Sequence, residues 1–190
     1  MRPLRFAAAL LAALSLSLGL AGASRGLEME GQAPVGADVR PAAPEDVATE
    51  EAIVAALYDV ISGPAGETRD WDRFRSLFLP GAILTGTGQG PDGRPRARMM
   101  TVEDYIARNG PLLTERGFFE TETGRRGERV GPIVSLLSGY ESRATEDGAP
   151  FDRGVNAIHL YDDGDRFWVV AVTWASVPPG GEAPAGLLRD

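Results

Sequence analysis

The chain has 190 residues, and its 27 acidic side chains outnumber 19 basic ones, all arginine, for a formal net charge of −8. It contains no cysteine, which excludes disulfides and thiol chemistry, and its acidic balance argues against nucleic acid or anionic lipid as partner. At this length one domain with a real core fits and two full domains do not.

The chain opens on a targeting pattern. Arg2 and Arg5 precede the apolar run Phe6 to Leu20, and the small residues Ala21-Gly22-Ala23 follow. This is the arrangement of a secretory signal, and the run is shorter than the roughly twenty residues that span a bilayer. Residues 1–23 are therefore expected to be removed, taking the formal charge to −10 as Arg2 and Arg5 leave. Without a cysteine to carry a lipid, the product is expected to be periplasmic or secreted, with no membrane attachment. Residues 24–44, rich in Gly, Ala and Pro, read as a flexible leader, and 177–190, with Pro178-Pro179-Gly180-Gly181, as a disordered tail. The domain is expected over 45–176.

Within it, Thr49 can cap a helix whose first turn holds Glu50 and Glu51 and whose apolar face carries Ile53, Ala56, Leu57, Val60 and Ile61. Gly63-Pro64 ends it. A second helix starts at Asp70, buries Trp71, Phe74, Leu77 and Phe78, and stops at Pro80-Gly81. Gly81 to Thr85 reads as a short strand before a Gly-rich loop, Gly86 to Pro95. Thr101 and Asp104 form a capping box for a third helix with Val102, Tyr105 and Ile106 on its apolar stripe. The period then turns from helical to alternating, with strands over 117–123, 130–143, 153–161 and 166–176. Asp162 to Asp165 is a hairpin turn signal. Helices first and antiparallel strands later define an α+β class, expected as a strongly curved antiparallel sheet wrapped as a cone around about three N-terminal helices.

This order, with Asp70-Trp71-Asp72-Arg73-Phe74 leading to Phe78-Leu79-Pro80-Gly81-Ala82 and Arg153 to Ile158 leading to Arg166-Phe167-Trp168, resembles the nuclear transport factor two-like superfamily and, within it, SnoaL-like domains. The resemblance covers nearly all of 45–176 and implies a fold with an interior pocket. Relatives of that kind place carboxylates, tyrosines or histidines in the pocket and move protons without metal or nucleotide, while others bind ligands or dimerise. The fold does not choose among these functions.

Candidate residues follow from strand alternation. His159, the single histidine, shares one strand face with Val155, Ala157 and Tyr161, and serves as a general base only if that face is inward. Asn156, Ile158 and Leu160 form the more apolar face, where the core is expected, and this counts against His159. Tyr140, Glu141, Glu120 and Glu122 are candidate acids or donors, since a buried glutamate exchanges protons near neutral pH. Tyr58 and Trp71 are candidates for the pocket mouth, with Asn156 and Glu120 inside it. Gly86, Gly88 and Gly90 only imitate a phosphate loop, because Pro91 follows where a helix should start. One histidine does not make a zinc site, and Asp162, Asp163 and Asp165 lack calcium-loop spacing. No metal and no cofactor is expected.

Three functions stay open at this point: binding of a small apolar molecule in the pocket, an isomerase- or dehydratase-like acid-base enzyme, and a homodimeric interaction module. The last would use Trp168, Val170, Val172 and Trp174, spaced by two on the last strand, as its contact stripe. Two or more ionisable groups converging in a closed cavity would favour the enzyme, and a large cavity with no such pair the binding function.

Overall fold

The computed structural model describes residues 40–178, 180–181 and 184–187. The expected signal, 1–23, and most of the leader lie outside the described residues. Four helices and six strands follow in chain order: α1 (Pro44–Val47), α2 (Glu50–Ile61), α3 (Trp71–Leu77), β1 (Phe78–Gln89), β2 (Pro95–Met100), α4 (Val102–Arg116), β3 (Phe119–Val130), β4 (Ile133–Arg143), β5 (Asp152–Asp162) and β6 (Phe167–Ser176).

The caps anticipated in the sequence are formed. Thr49 Oγ1 accepts from Ala52 N at 3.1 Å and Asp70 Oδ1 from Arg73 N at 2.8 Å. At the start of α4, Thr101 Oγ1 accepts from Asp104 N while Thr101 N donates to Asp104 Oδ2, both at 3.1 Å. Each bond satisfies an amide that the first helical turn leaves without a carbonyl. The α2 face expected to be apolar is buried at Ile53, Ala56, Leu57 and Val60, and packs with Phe74 and Leu77 of α3 against the sheet.

The sheet departs from the antiparallel cone. Its strand order is β2-β1-β6-β5-β4-β3, with β1 parallel to β6 and every other pair antiparallel. It is a mixed, open layer, neither strongly curved nor closed, because β2 and β3 end the order as unpaired edges. No turn separates α3 from β1: Phe78 caps the helix and is already the first strand residue. Pro80-Gly81, expected to stop the second helix with Gly81 opening a short strand to Thr85, lies inside the longer β1, where a register irregularity between Phe78 and Ile83 accommodates the proline and Gly81 takes φ 88°. The Gly-rich segment is strand as far as Gln89, pairing Gly86 to Gln89 with Pro95 to Arg98. The third strand is likewise longer than expected, reaching Val130 and turning at Gly131-Pro132.

A second irregularity, between His159 and Leu160 on β5, matters more for function. It sets Ala171 opposite His159 and Val169 opposite Leu160, so one residue of β6 is skipped. Val169 is then fully buried in the core, and Val172 and Trp174 pack against that core, whereas Trp168 pairs with Tyr161 on the opposite face. The expected stripe Trp168-Val170-Val172-Trp174 is therefore split between two faces and is no continuous dimer surface. Past β6, in the segment read as a tail, Leu187 is buried and its carbonyl accepts from Thr123 Oγ1. No helix among the described residues is long and apolar enough to cross a membrane.

Candidate functional site

A cavity of about 230 Å³ lies between the helices and the sheet face they cover. Its apolar wall comes from Leu57 of α2, Phe74 of α3, Phe78 and Leu84 of β1, and Val172 and Trp174 of β6. The polar wall is set by strand register. Glu120 pairs with Ser142 and Ser142 with Asp152, so three neighbouring strands carry a polar row across one face.

Glu120 and Glu122 leave β3 on the same side, yet their partners differ. Glu122 is held by Arg125, whose Nε and Nη2 donate to it at 2.9 and 2.8 Å. Glu120 has no cation among the described residues. Its Oε2 accepts from Ser142 Oγ at 2.9 Å and its Oε1 from Asn156 Nδ2 at a long 3.5 Å. Burial, with the Asp152 charge adding, pushes the Glu120 pKa from 4.5 to about 7 despite those two bonds, which favour the anion.

A donor chain runs beneath it. Asn156 Nδ2 donates to Tyr58 Oη at 3.1 Å, Tyr58 Oη and Ser138 Oγ are 2.6 Å apart, and Ser138 Oγ donates to Glu122. Because the Ser138 proton goes to Glu122, the Tyr58 proton goes to Ser138. Burial raises the Tyr58 pKa and keeps the phenol protonated. Tyr58 is thus fully engaged and acts as a brace.

Tyr105 is different. It stacks on Phe74 at 5.2 Å between ring centres and meets Trp174 edge-on at 6.1 Å. Tyr105 lines the cavity, and its hydroxyl makes no hydrogen bond among the described residues. Burial raises its pKa, and the Glu120 charge, close enough to act on it, adds to the rise. A carboxyl with a raised pKa and a phenol without a hydrogen-bond partner among the described residues therefore line the same cavity.

Asp152 ends the polar row. Its Oδ2 accepts from Ser176 Oγ at 2.9 Å and Tyr140 Oη at 3.3 Å. Tyr140 reaches it only because residue 154 is glycine, since a Cβ there would collide with the Tyr140 ring and with the Ala175 carbonyl. Gly154→Ala is expected to cost about 1–3 kcal/mol of stability through this overpacking. Thermal melts in the Tyr140→Ala background should show a much smaller penalty; an unchanged penalty would place the strain on the Ala175 carbonyl.

Of the residues singled out in the sequence, Tyr58, Glu120, Tyr140 and Asn156 meet at the cavity. Glu141, His159 and Trp71 do not. Glu141 is buried on the opposite face of β4, paired with Arg143 and with Arg153 at 3.1 Å. His159 is exposed, its Nδ1 3.1 Å from Ser135 Oγ, as expected from the apolar character of the alternate β5 face. Trp71 packs edge-on against Phe74, 5.6 Å between centres, outside the cavity lining. Asp152, Ser142, Ser176 and Tyr105 were not singled out as site residues. Only Asp152 had a legible signal, standing two residues before Gly154 on the strand of Asn156. Gly86 has a packing role: a Cβ there would lie 2.9 Å from Trp174 Cζ2.

The chain matches no protein-family model and no curated protein. Among solved structures, it is similar to a protein of unknown function with a cystatin-like fold from Nostoc punctiforme, at TM-score 0.50 and 10% identity over 66% of this chain and 86% of that one. It is also similar to an NTF2-like protein from Cytophaga hutchinsonii, at TM-score 0.44 and 11% identity over 67% of this chain and 92% of that chain. An NTF2-like protein of unknown function from Shewanella baltica gives TM-score 0.42 and 14% identity over 68% and 98%. At such identities the likeness is one of fold alone, the cystatin-like fold of the Nostoc punctiforme structure.

Proposed function

We propose that the cavity binds a small, largely apolar carbonyl compound and moves a proton on it, with Glu120 as proton carrier. The observation that carries this reading is a carboxyl held only by neutral donors, lining a cavity with one apolar wall that is also lined by Tyr105, whose hydroxyl has no hydrogen-bond partner among the described residues. Glu120 takes a proton from the carbon beside the carbonyl, and the Tyr105 hydroxyl donates to the oxygen on which charge develops. The Asn156-Tyr58-Ser138 chain keeps the carboxylate in place, and the aromatic wall limits water.

The test is solvent deuterium exchange into the α-carbon of small aryl ketones, followed by proton NMR. Wild type should accelerate exchange, with the rate rising through pH 7 as the carboxylate form accumulates. Glu120→Gln should lower it by about a hundredfold or more and Tyr105→Phe by about tenfold. Ketones that bind without any exchange would replace this reading with ligand binding alone, which the apolar wall also supports. Absence of binding across the panel would end both.

A further inference from the structure

We infer that the ligand of this cavity carries a protonated amine, seated at the Asp152 end against Trp174 and Tyr140. This deepens the proposed function in that it rests on the cavity being a ligand site. It does not depend on Glu120 moving a proton.

The charge distribution is the first argument. No arginine among the described residues lines the cavity, whereas two carboxylates, Glu120 and Asp152, do. The arginines nearest in sequence are directed elsewhere: Arg143 and Arg153 hold Glu141 on the opposite face, and Arg125 holds Glu122. An anionic head group entering here would meet like charge and find no basic side chain. A cation meets the reverse.

The bonding of Asp152 is the second. Both of its hydrogen bonds, from Ser176 and Tyr140, end on Oδ2. Oδ1 has no donor and no arginine among the described residues, although it belongs to a residue lining the cavity. A carboxylate fixed through one oxygen by two hydroxyls, with the other oxygen open, is a pre-oriented acceptor for an N–H donor. Trp174 and Tyr140 line the same space, and aromatic rings at such a site attract a cation once water is displaced. Ser176, next to Asp152, is exposed, so this end of the cavity reaches solvent and the charged head need not be fully stripped of water.

The experiment uses three probes of one shape: 3-phenylpropylamine, 3-phenylpropan-1-ol and 3-phenylpropanoate. Each is titrated into the full-length protein at pH 6, where burial keeps Glu120 largely protonated and the cavity's charge is not doubled by it, and followed by tryptophan fluorescence and by ligand-observed NMR. The amine is expected to bind about tenfold tighter than the alcohol and the carboxylate weakest. Asp152→Asn should bring the amine down to the alcohol while leaving the alcohol unchanged, which also shows the variant folded. Equal binding of amine and alcohol, or an amine preference that survives Asp152→Asn, would overturn the inference and leave the apolar pocket standing. Failure of all three probes would overturn the inference together with the ligand-site reading.

Discussion

Replacing Glu120 with Gln should raise the melting temperature at pH 8 by about 5 °C or more and at pH 5 by only about a quarter as much. The folded chain holds the Glu120 proton until about pH 7, whereas an unfolded chain releases it near 4.5. Between these values the folded form binds more protons, so its stability falls as pH rises, by up to about 3 kcal/mol once pH exceeds 7. Gln has the same shape as the protonated acid and does not ionise, so it escapes that loss. Its amide still satisfies Ser142 and Asn156 after the Ser142 hydroxyl turns to accept. Scanning calorimetry of both proteins from pH 5 to 8 reads the difference directly. A gap independent of pH would show that Glu120 ionises in place without penalty, and the acid-base reading would lose its physical basis. Gain of stability with loss of exchange is the expected mark of a residue kept for function against the preference of the fold.

The local elements were legible because their signals are local. Thr49 and Thr101 sit where short-range hydrogen bonds decide and cap the helices they were expected to cap, and Asp70, expected to start the second helix, caps it. Alternation likewise placed Asn156, Ile158 and Leu160 inward and His159 outward. What failed was non-local. The parallel β1–β6 pair joins segments far apart in sequence, and nothing in either segment specifies its partner. The irregularity opposite His159 shifts the face of every residue of β6 before it, so period-two counting from Trp174 back to Trp168 gave the wrong side.

The site shows the same division. Glu120 and Glu122 are indistinguishable in sequence, and only the position of Arg125 separates a neutralised carboxylate from an uncompensated one. Tyr105 was read as part of an apolar stripe, which it is by packing, while its hydroxyl at the cavity depends on how α4 lies over Phe74 and Trp174. Tyr140 was visible as an aromatic on a strand. Its reach to Asp152 depends on Gly154, two strands' chemistry meeting at one missing Cβ.

How α4 is held leads to the second large effect: Arg69→Met is expected to destabilise the protein by about 3–5 kcal/mol. Arg69 is only 5% exposed and has no carboxylate partner among the described residues. Its guanidinium donates instead to five carbonyls: Ile61 at 3.0 Å, Pro64 at 3.4 Å, Glu67 and Gly63 at 2.6 Å each, and Leu113 at 3.1 Å. Ile61 ends α2 and Leu113 lies in the last turns of α4, so the cation sits where the negative ends of two helix dipoles converge. Burial lowers the Arg69 pKa, but a guanidinium stays charged, and the carbonyls replace its water. Met fills the volume and leaves those acceptors unpaired. Lys keeps the charge with fewer, non-planar donors and should recover only part of the loss. Urea unfolding of the three proteins measures this order, and an Arg69→Met cost below about 1 kcal/mol would mean water serves the carbonyls as well. Because this clamp ties the α2 that carries Tyr58 to the α4 that carries Tyr105, Arg69→Lys should also weaken ketone binding at temperatures where the protein is still fully folded.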